Sequence, residues 1–463
     1  MSRLNNRQYF LQYLAQTSPK PIGLEVERAA GVYIHDTAGK SYIDLIAGFS
    51  VCNIGHSHPK VIDAITEQIQ QYMHVIVYGE FIQSPQVQYA KALLSLLPDN
   101  LQSIYFTNSG AEATEGAMKL AKRVTRRTRI IAFEGAYHGS TQGALSVMGD
   151  EYFRNAYRPL LPDVFHLRYN NMEDIELIDH HVACVIVEPV QAESGVTPAS
   201  AAWLKALRAK CDELCALLIF DEIQSGFGRT GTLFAFEQYG VVPDILLTGK
   251  ALGAGLPLGA FISSPAMMGT LTYDPVLGHI TTFGGNPVAC AAGKAGLEVL
   301  LDSEWMDEVK AKEAYLKESL THPAILNKQH KGLWMSLQFA TPELTKKIAA
   351  NCVANGVITD WFLFAENRIR IAPPLCITIP ELKLAVGPLA KRIDKKRSVL
   401  NYLIHPTRSF FSPAAALVSL GLYFGGLNLE ALKDMLKAYQ QVATEALESA
   451  QNAFKSDDEF INK

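Results

Sequence analysis

The sequence predicts an α/β protein with a mostly parallel mixed sheet covered by helices, and three observations carry that expectation. Short apolar, β-branched runs recur: SIYFT (103–107), RIIAFEG, VACVIVEP (182–189), ALLIFDE (216–222) and DILLTGK (244–250). Helical patterns lie between them, one from Glu112 to Arg127 and another in AAWLKALRAKCDELC. From about residue 300 the pattern turns helical with only short strands, GLWMSLQFA and NRIRIAPPL, which implies a second, smaller α+β domain.

Taken in order, the amino end MSRLNNRQYFLQYLAQTSPK lacks a sustained apolar core and a small-residue cleavage site, so no secretion signal is expected. GVYIHDTAGKSYID reads as a hairpin turning at Gly39. The expected division is an N-terminal segment (1–60) that joins the small domain, a large domain (61–300), the rest of the small domain (301–395) and a helical extension (396–463). Within that extension SPAAALVSLGLYFGGL (412–427) is too short and glycine-rich to span a membrane. Leu429, Leu432, Leu436, Tyr439 and Val442 then share one helical face. Net charge is −4 and the 42 Lys and Arg form no long block, so neither nucleic acid nor a membrane surface is an expected partner. Seven scattered cysteines fit a reducing, cytoplasmic compartment. Cys211 and Cys215, without a histidine pair at metal-binding spacing, read as packing thiols, and no metal site is expected.

In open parallel sheets ligands sit beyond the carboxyl ends of the strands, where Asp221 and Lys250 both stand. Lys250, between an apolar run and ALGAGLPLGA, is by itself compatible with an ordinary loop lysine. Ser109 and Glu112 have capping-box spacing at a helix start. Either they cap that helix and no more, or the helix also offers free N–H groups to a phosphate. Asp221 either caps a helix or holds a heterocyclic nitrogen protonated, with Gln224 three residues on meeting an oxygen of the same ring. A phosphate cradle, an aspartate and a lysine at strand ends together describe a site for pyridoxal 5′-phosphate.

The motifs SGAEATEGAMKLAKR, AYHGSTQGALS, VEPVQAESG, FDEIQSGFGRTG, TGKALGAGLPLGA, TTFGGNP and RIAPPL follow one another in this order. On them the chain resembles the class III, ornithine-aminotransferase-like, pyridoxal-phosphate-dependent aminotransferases of fold type I, over about Gly31 to Ile393. The resemblance implies that Lys250 forms the internal aldimine and moves the substrate proton, and that Asp221 pairs with the pyridinium. It further implies that Ser109, Gly110 and Ala111 meet the phosphate, that Tyr137 stacks on the ring, and that Gln224 meets the ring hydroxyl. Thr282 would reach the phosphate of the neighbouring subunit in a homodimer with shared active sites, and His138 would be structural. Arg370 would bind the α-carboxylate in a bidentate pair, with Arg368 as the competing candidate on the same strand face. Glu193 would be the gate that pairs with Arg370 for amines lacking that carboxylate and swings away for 2-oxoglutarate. The implied reaction is ping-pong transfer of an amino group from an amino acid or ω-amine donor to an α-keto acid.

One departure bears on the donor. Where the ornithine and acetylornithine enzymes carry an arginine after YHG, this chain has Ser140, which offers no charge to a distal carboxylate; Arg154 and Arg158 are the candidates to compensate. Two other readings stand beside transamination. The first is an aminomutase or decarboxylating enzyme on the same scaffold, the former disfavoured by the Glu193–Arg370 pairing. The second is a non-catalytic scaffold, disfavoured by intact Lys250 and Asp221.

Overall fold

The computed structural model describes residues 5–393. The extension expected over 396–463, with its apolar stretch and helical face, lies outside the described residues.

Seven strands form the central sheet, in the order Ser103–Thr107, Gly259–Ser263, Ile245–Thr248, Leu217–Asp221, Val182–Val187, Arg129–Phe133, Val164–Leu167. Only Gly259–Ser263 runs against its neighbours. Every residue of Val182–Val187 and Ile245–Thr248 is buried, which explains why these strands read as continuous apolar runs rather than as alternating ones. Helix Gly110–Thr125 lies on one face with its small residues Ala113, Gly116, Ala117 and Ala121 buried against the sheet. Helix Ala201–Leu214, capped by the Ser200 hydroxyl on the Trp203 N–H, buries Trp203, Leu204 and Leu207. Trp203 meets Phe133 and Tyr169 edge-on at 5.0 and 4.9 Å, a geometry that aromatic quadrupoles favour. Cys211 is a buried packing thiol, but Cys215 corrects the sequence reading. It is exposed and closes this helix in the left-handed region, φ 51°, because the chain must turn there into strand Leu217–Asp221.

The amino-terminal hairpin, Tyr33–Asp36 with Ser41–Asp44, turns at Gly39, whose φ of +82° suits a residue without a Cβ. Its second strand pairs in parallel with Val357–Ile358, so chain from both ends shares one sheet. A three-stranded antiparallel sheet, Asn327–His330, Met335–Gln338 and Arg368–Ile371, carries Arg370. After the hairpin, Ala47 to Ser50 form a left-handed turn with φ of 50°, 58°, 61° and 64°, a conformation that disfavours any residue but glycine.

Candidate active site

A cavity of about 260 Å³ opens at the carboxyl ends of the parallel strands. Ser109, Gly110, Ala111, Tyr137, Asp221, Gln224 and Lys250 all line it, although they come from four separate stretches of chain. Glu188 and Ser140 line it as well.

Helix Gly110–Thr125 points its amino end into the cavity. Ser109 Oγ accepts the Glu112 N–H at 3.2 Å, the first half of the predicted capping box. The second half differs: Glu112 reaches back past Ser109 to the Asn108 N–H at 2.7 Å and to the Asn108 amide. The N–H groups of Gly110 and Ala111, in the first turn, have no intrahelical acceptor and lie at the positive end of the helix. At Gly110 a Cβ would come within 2.7 Å of the Ile223 side chain, which would have to shift to admit it.

Asp221 ends its strand with both carboxylate oxygens engaged. Oδ1 accepts the Ile223 N–H at 3.0 Å and Oδ2 lies 2.7 Å from His138 Nδ1. His138 is buried, and burial pushes its pKa down, but the hydrogen bond to Asp221 and that residue's charge outweigh it and hold the imidazole above its ordinary value. The structural part expected of His138 is therefore specific: it fixes the Asp221 carboxylate.

Lys250 follows strand Ile245–Thr248 with φ 49°, and its Nζ donates to Gln224 Oε1 at 2.8 Å. Burial lowers its pKa, against the opposing pull of the Glu193 and Asp221 charges. Sequence reasoning gave no role to Glu188. Its oxygens accept the Tyr137 and Ala192 N–H groups at 2.9 Å each, and burial pushes its pKa up to about 7. Its signal was the one that found Asp221, a carboxylate just past the end of an apolar strand.

Thr282 is not brought to this cavity within one chain; it is exposed. Its neighbour Thr281 accepts from the Asn108 amide at 2.9 Å and lines a separate cavity of about 330 Å³ with Tyr78, Phe81 and Gly285. Arg154 and Arg158 are not among the residues that line the cavity beside Ser140. Both are tied to Glu151, at 2.8 and 2.7 Å, and the Ser140 hydroxyl meets Tyr137 Oη at 3.1 Å.

Arg370 is 1% exposed and meets Glu193 through both terminal nitrogens, at 2.9 to 3.1 Å. Burial pushes the Glu193 carboxyl up, but the guanidinium charge overrides it and holds the acid below its ordinary range. Arg368, on the same strand face, is drawn elsewhere, to Gln329, Ser336 and Gln338. Three further neighbours of Arg370 went unread in the sequence. Asp360 Oδ1 accepts Nε at 3.1 Å, and the rings of Phe362 and Phe49 lie 4.3 and 5.0 Å from the guanidinium carbon. Only tertiary folding brings them together, so no local pattern announced them.

Two buried polar atoms beside the cavity lack partners among the described residues, Gln224 Nε2 and His138 Nε2. With the free N–H groups of Gly110 and Ala111, a fixed aspartate and a lysine of lowered pKa, the residues present fit pyridoxal phosphate, a phosphorylated pyridine aldehyde.

The solved structures that this fold resembles are transaminases of fold type I. The ornithine aminotransferase from Toxoplasma gondii superposes with a TM-score of 0.78 at 29% identity, covering 84% of this chain and 94% of that one. A thermostable (S)-enantioselective omega-transaminase from Thermomicrobium roseum gives 0.77 at 30%, over 84% and 97%. The profile of the family Aminotransferase class-III matches residues 13–393, and the chain belongs to this family. Among curated relatives, the acetylornithine aminotransferase of Methanopyrus kandleri is 39% identical over 78% of this chain and 92% of its own. That of Bacillus subtilis is 37% identical over 81% and 96%. The protein is thus a pyridoxal-phosphate-dependent aminotransferase of fold type I, acting on a small-molecule amine donor and a keto acid. No helix among the described residues is long and apolar enough to cross a membrane.

Proposed function

We propose that the enzyme transfers an amino group from an ω-amine-type donor to 2-oxoglutarate, with Arg370 and Glu193 deciding which partner the site accepts. The observation that carries this reading is the buried Glu193–Arg370 pair. A carboxylate already fills the arginine's fork, so the site accepts an amine that brings no α-carboxylate, and an α-keto acid must take the place of Glu193. Ser140 and the tethered Arg154 and Arg158 support a donor without a second carboxylate.

Bound pyridoxal phosphate supplies the carbonyl that takes up the amino group and a ring that accepts the electron pair left at the substrate Cα. Gly110 and Ala111 would give their N–H groups to the phosphate with Ser109 assisting, Tyr137 would cover the ring, and Gln224 would meet its hydroxyl. Asp221, held by His138 and the Ile223 N–H, would fix negative charge at the ring nitrogen. Lys250, whose pKa burial lowers, would hold the carbonyl and, once the incoming amine has displaced it, would take the Cα proton on Nζ.

The same reading includes a cytoplasmic homodimer with shared sites, completed by Thr282 of the partner subunit. Exposed apolar side chains support the dimer: Phe81, Ile82 (97% exposed), Ile280 and Phe283. The seven scattered cysteines of the chain support the compartment. Domain limits of 1–60, 61–300 and 301–395 belong to this proposal too.

The test is the visible spectrum of the holoenzyme, titrated with diamines, ω-amino acids, ornithine, acetylornithine and α-amino acids. Bleaching of the cofactor band by ω-amines, reversed by 2-oxoglutarate, is the expected result. Bleaching by α-amino acids alone would remove Glu193 as a gate.

A further inference from the structure

The contacts of Arg370 form two separate sets. Glu193 occupies the two terminal nitrogens, while Asp360 holds Nε. Asp360 also accepts the Arg370 backbone N–H on its own carbonyl at 2.9 Å, and the Thr359 hydroxyl donates to the Arg370 carbonyl at 2.6 Å. Residues 359 and 360 therefore grip Arg370 by main chain and side chain together, leaving its fork to other partners.

This arrangement solves a problem that the gate creates. Arg370 is almost fully buried, and a buried guanidinium with no counter-charge is strongly disfavoured. If Glu193 were its sole anionic partner, every departure of Glu193 would pass through an unpaired buried cation. With Asp360 on Nε the arginine stays neutralised throughout. The cluster carries one net negative charge with Glu193 in place, none as Glu193 leaves, and one again once a keto-acid carboxylate enters. The Nε contact also fixes the plane of the guanidinium, whose donors form a rigid fork. The Phe362 and Phe49 rings at 4.3 and 5.0 Å restrict it further.

We propose that Asp360 is the positioning residue that keeps Arg370 aimed and neutralised while Glu193 and the substrate carboxylate exchange on its fork. The inference rests on Arg370 being the carboxylate-binding arginine, and it makes the gate an exchange of partners on a fixed arginine. Asp360 touches neither cofactor nor substrate in this role.

The experiment compares the two half-reactions of the holoenzyme in Asp360→Ala, Asp360→Asn and Arg370→Lys, each checked for retained cofactor absorbance and thermal midpoint. Asp360→Ala is expected to raise the KM for 2-oxoglutarate about tenfold or more, the scale of one lost charge-assisted hydrogen bond, with a much smaller change in kcat. Asp360→Asn keeps an oxygen for Nε but not the counter-charge, so it should return the thermal midpoint to that of the parent while recovering only a small part of the KM loss, a split that a merely structural role would not predict. Should Asp360→Ala not fold, Asp360→Ser, too short to reach Nε, takes its place. An unchanged KM in the shortened variant, or equal losses in both half-reactions, would overturn the proposal. An unchanged KM in Arg370→Lys would instead overturn the reading of Arg370 itself, and this inference with it.

Discussion

The pocket around Lys250 and the cluster around Arg370 are both buried and both charged, yet they differ in how their polar groups are satisfied. Around Lys250 the fixed groups sit at the ends of parallel strands and at a helix start, and several donors beside the cavity have no partner among the described residues. Around Arg370 every guanidinium nitrogen has a carboxylate, on a strand and loops outside the central sheet. The first region is a fixed mould for one resident group. The second is complete in itself and can act only by giving up a partner. A cofactor that stays needs unsatisfied donors, whereas substrates that alternate need a protein group that substitutes for one of them.

This contrast can be broken most sharply at the mould. Lys250→Ala is expected to abolish turnover while leaving the thermal midpoint close to that of the parent; ordinary turnover by that variant would end the assignment. Asp221→Asn keeps the shape but removes the fixed charge. It should cost several powers of ten in rate, each worth about 1.4 kcal/mol, with cofactor still detectable by absorbance. A near-normal rate would refute the electrostatic role.

The exchange site should respond more gently. Glu193→Gln leaves Arg370 with Asp360 alone and removes the mimic of a carboxylate. Preference should move by about tenfold away from simple amines and toward α-amino acids, read as the ratio of their kcat/KM values. An unchanged ratio would make Glu193 a static brace.

The smallest effect belongs to neither region and serves as a control. Glu222, adjacent to Asp221, is fully buried with oxygens accepting the Ala235 and Phe236 N–H groups, and burial raises its pKa to about 7. A carboxyl raised on folding contributes stability that is complete below its unfolded value and is lost as pH rises through about 7. The thermal midpoint should fall between pH 5 and 8, and Glu222→Gln should flatten that slope without changing its sign. A steeper slope in the variant would contradict the assignment.

The difference between the regions also decides how much of each was legible in the sequence. Strand ends are local: an apolar run that stops at Asp221 or at Thr248 announces where a ligand lies, and Ser109 with Glu112 announces a helix start. Seven of the eight residues expected at the cofactor accordingly line one cavity. The eighth, Thr282, is not brought to it within one chain. Around Arg370 the family resemblance supplied the arginine and Glu193, but Asp360 and Phe49 reach it from chain 10 and 321 residues away, and no periodicity records such a meeting. Glu112 shows the same limit on a smaller scale, since its spacing foretold a capping box but not that its carboxylate would choose Asn108 over Ser109.

The depth of the arginine cluster has a consequence for the solution in which the enzyme works. Dissolved ions screen charges that face water and act weakly on those that do not. Arg370, at 1% exposure, and Glu193, at 6%, lie beyond that reach. Added salt should slow the capture of an anionic keto acid from bulk water, yet leave almost untouched the choice between amine and acid once either is inside. Discrimination set in this way stays constant while the ionic strength around the enzyme changes.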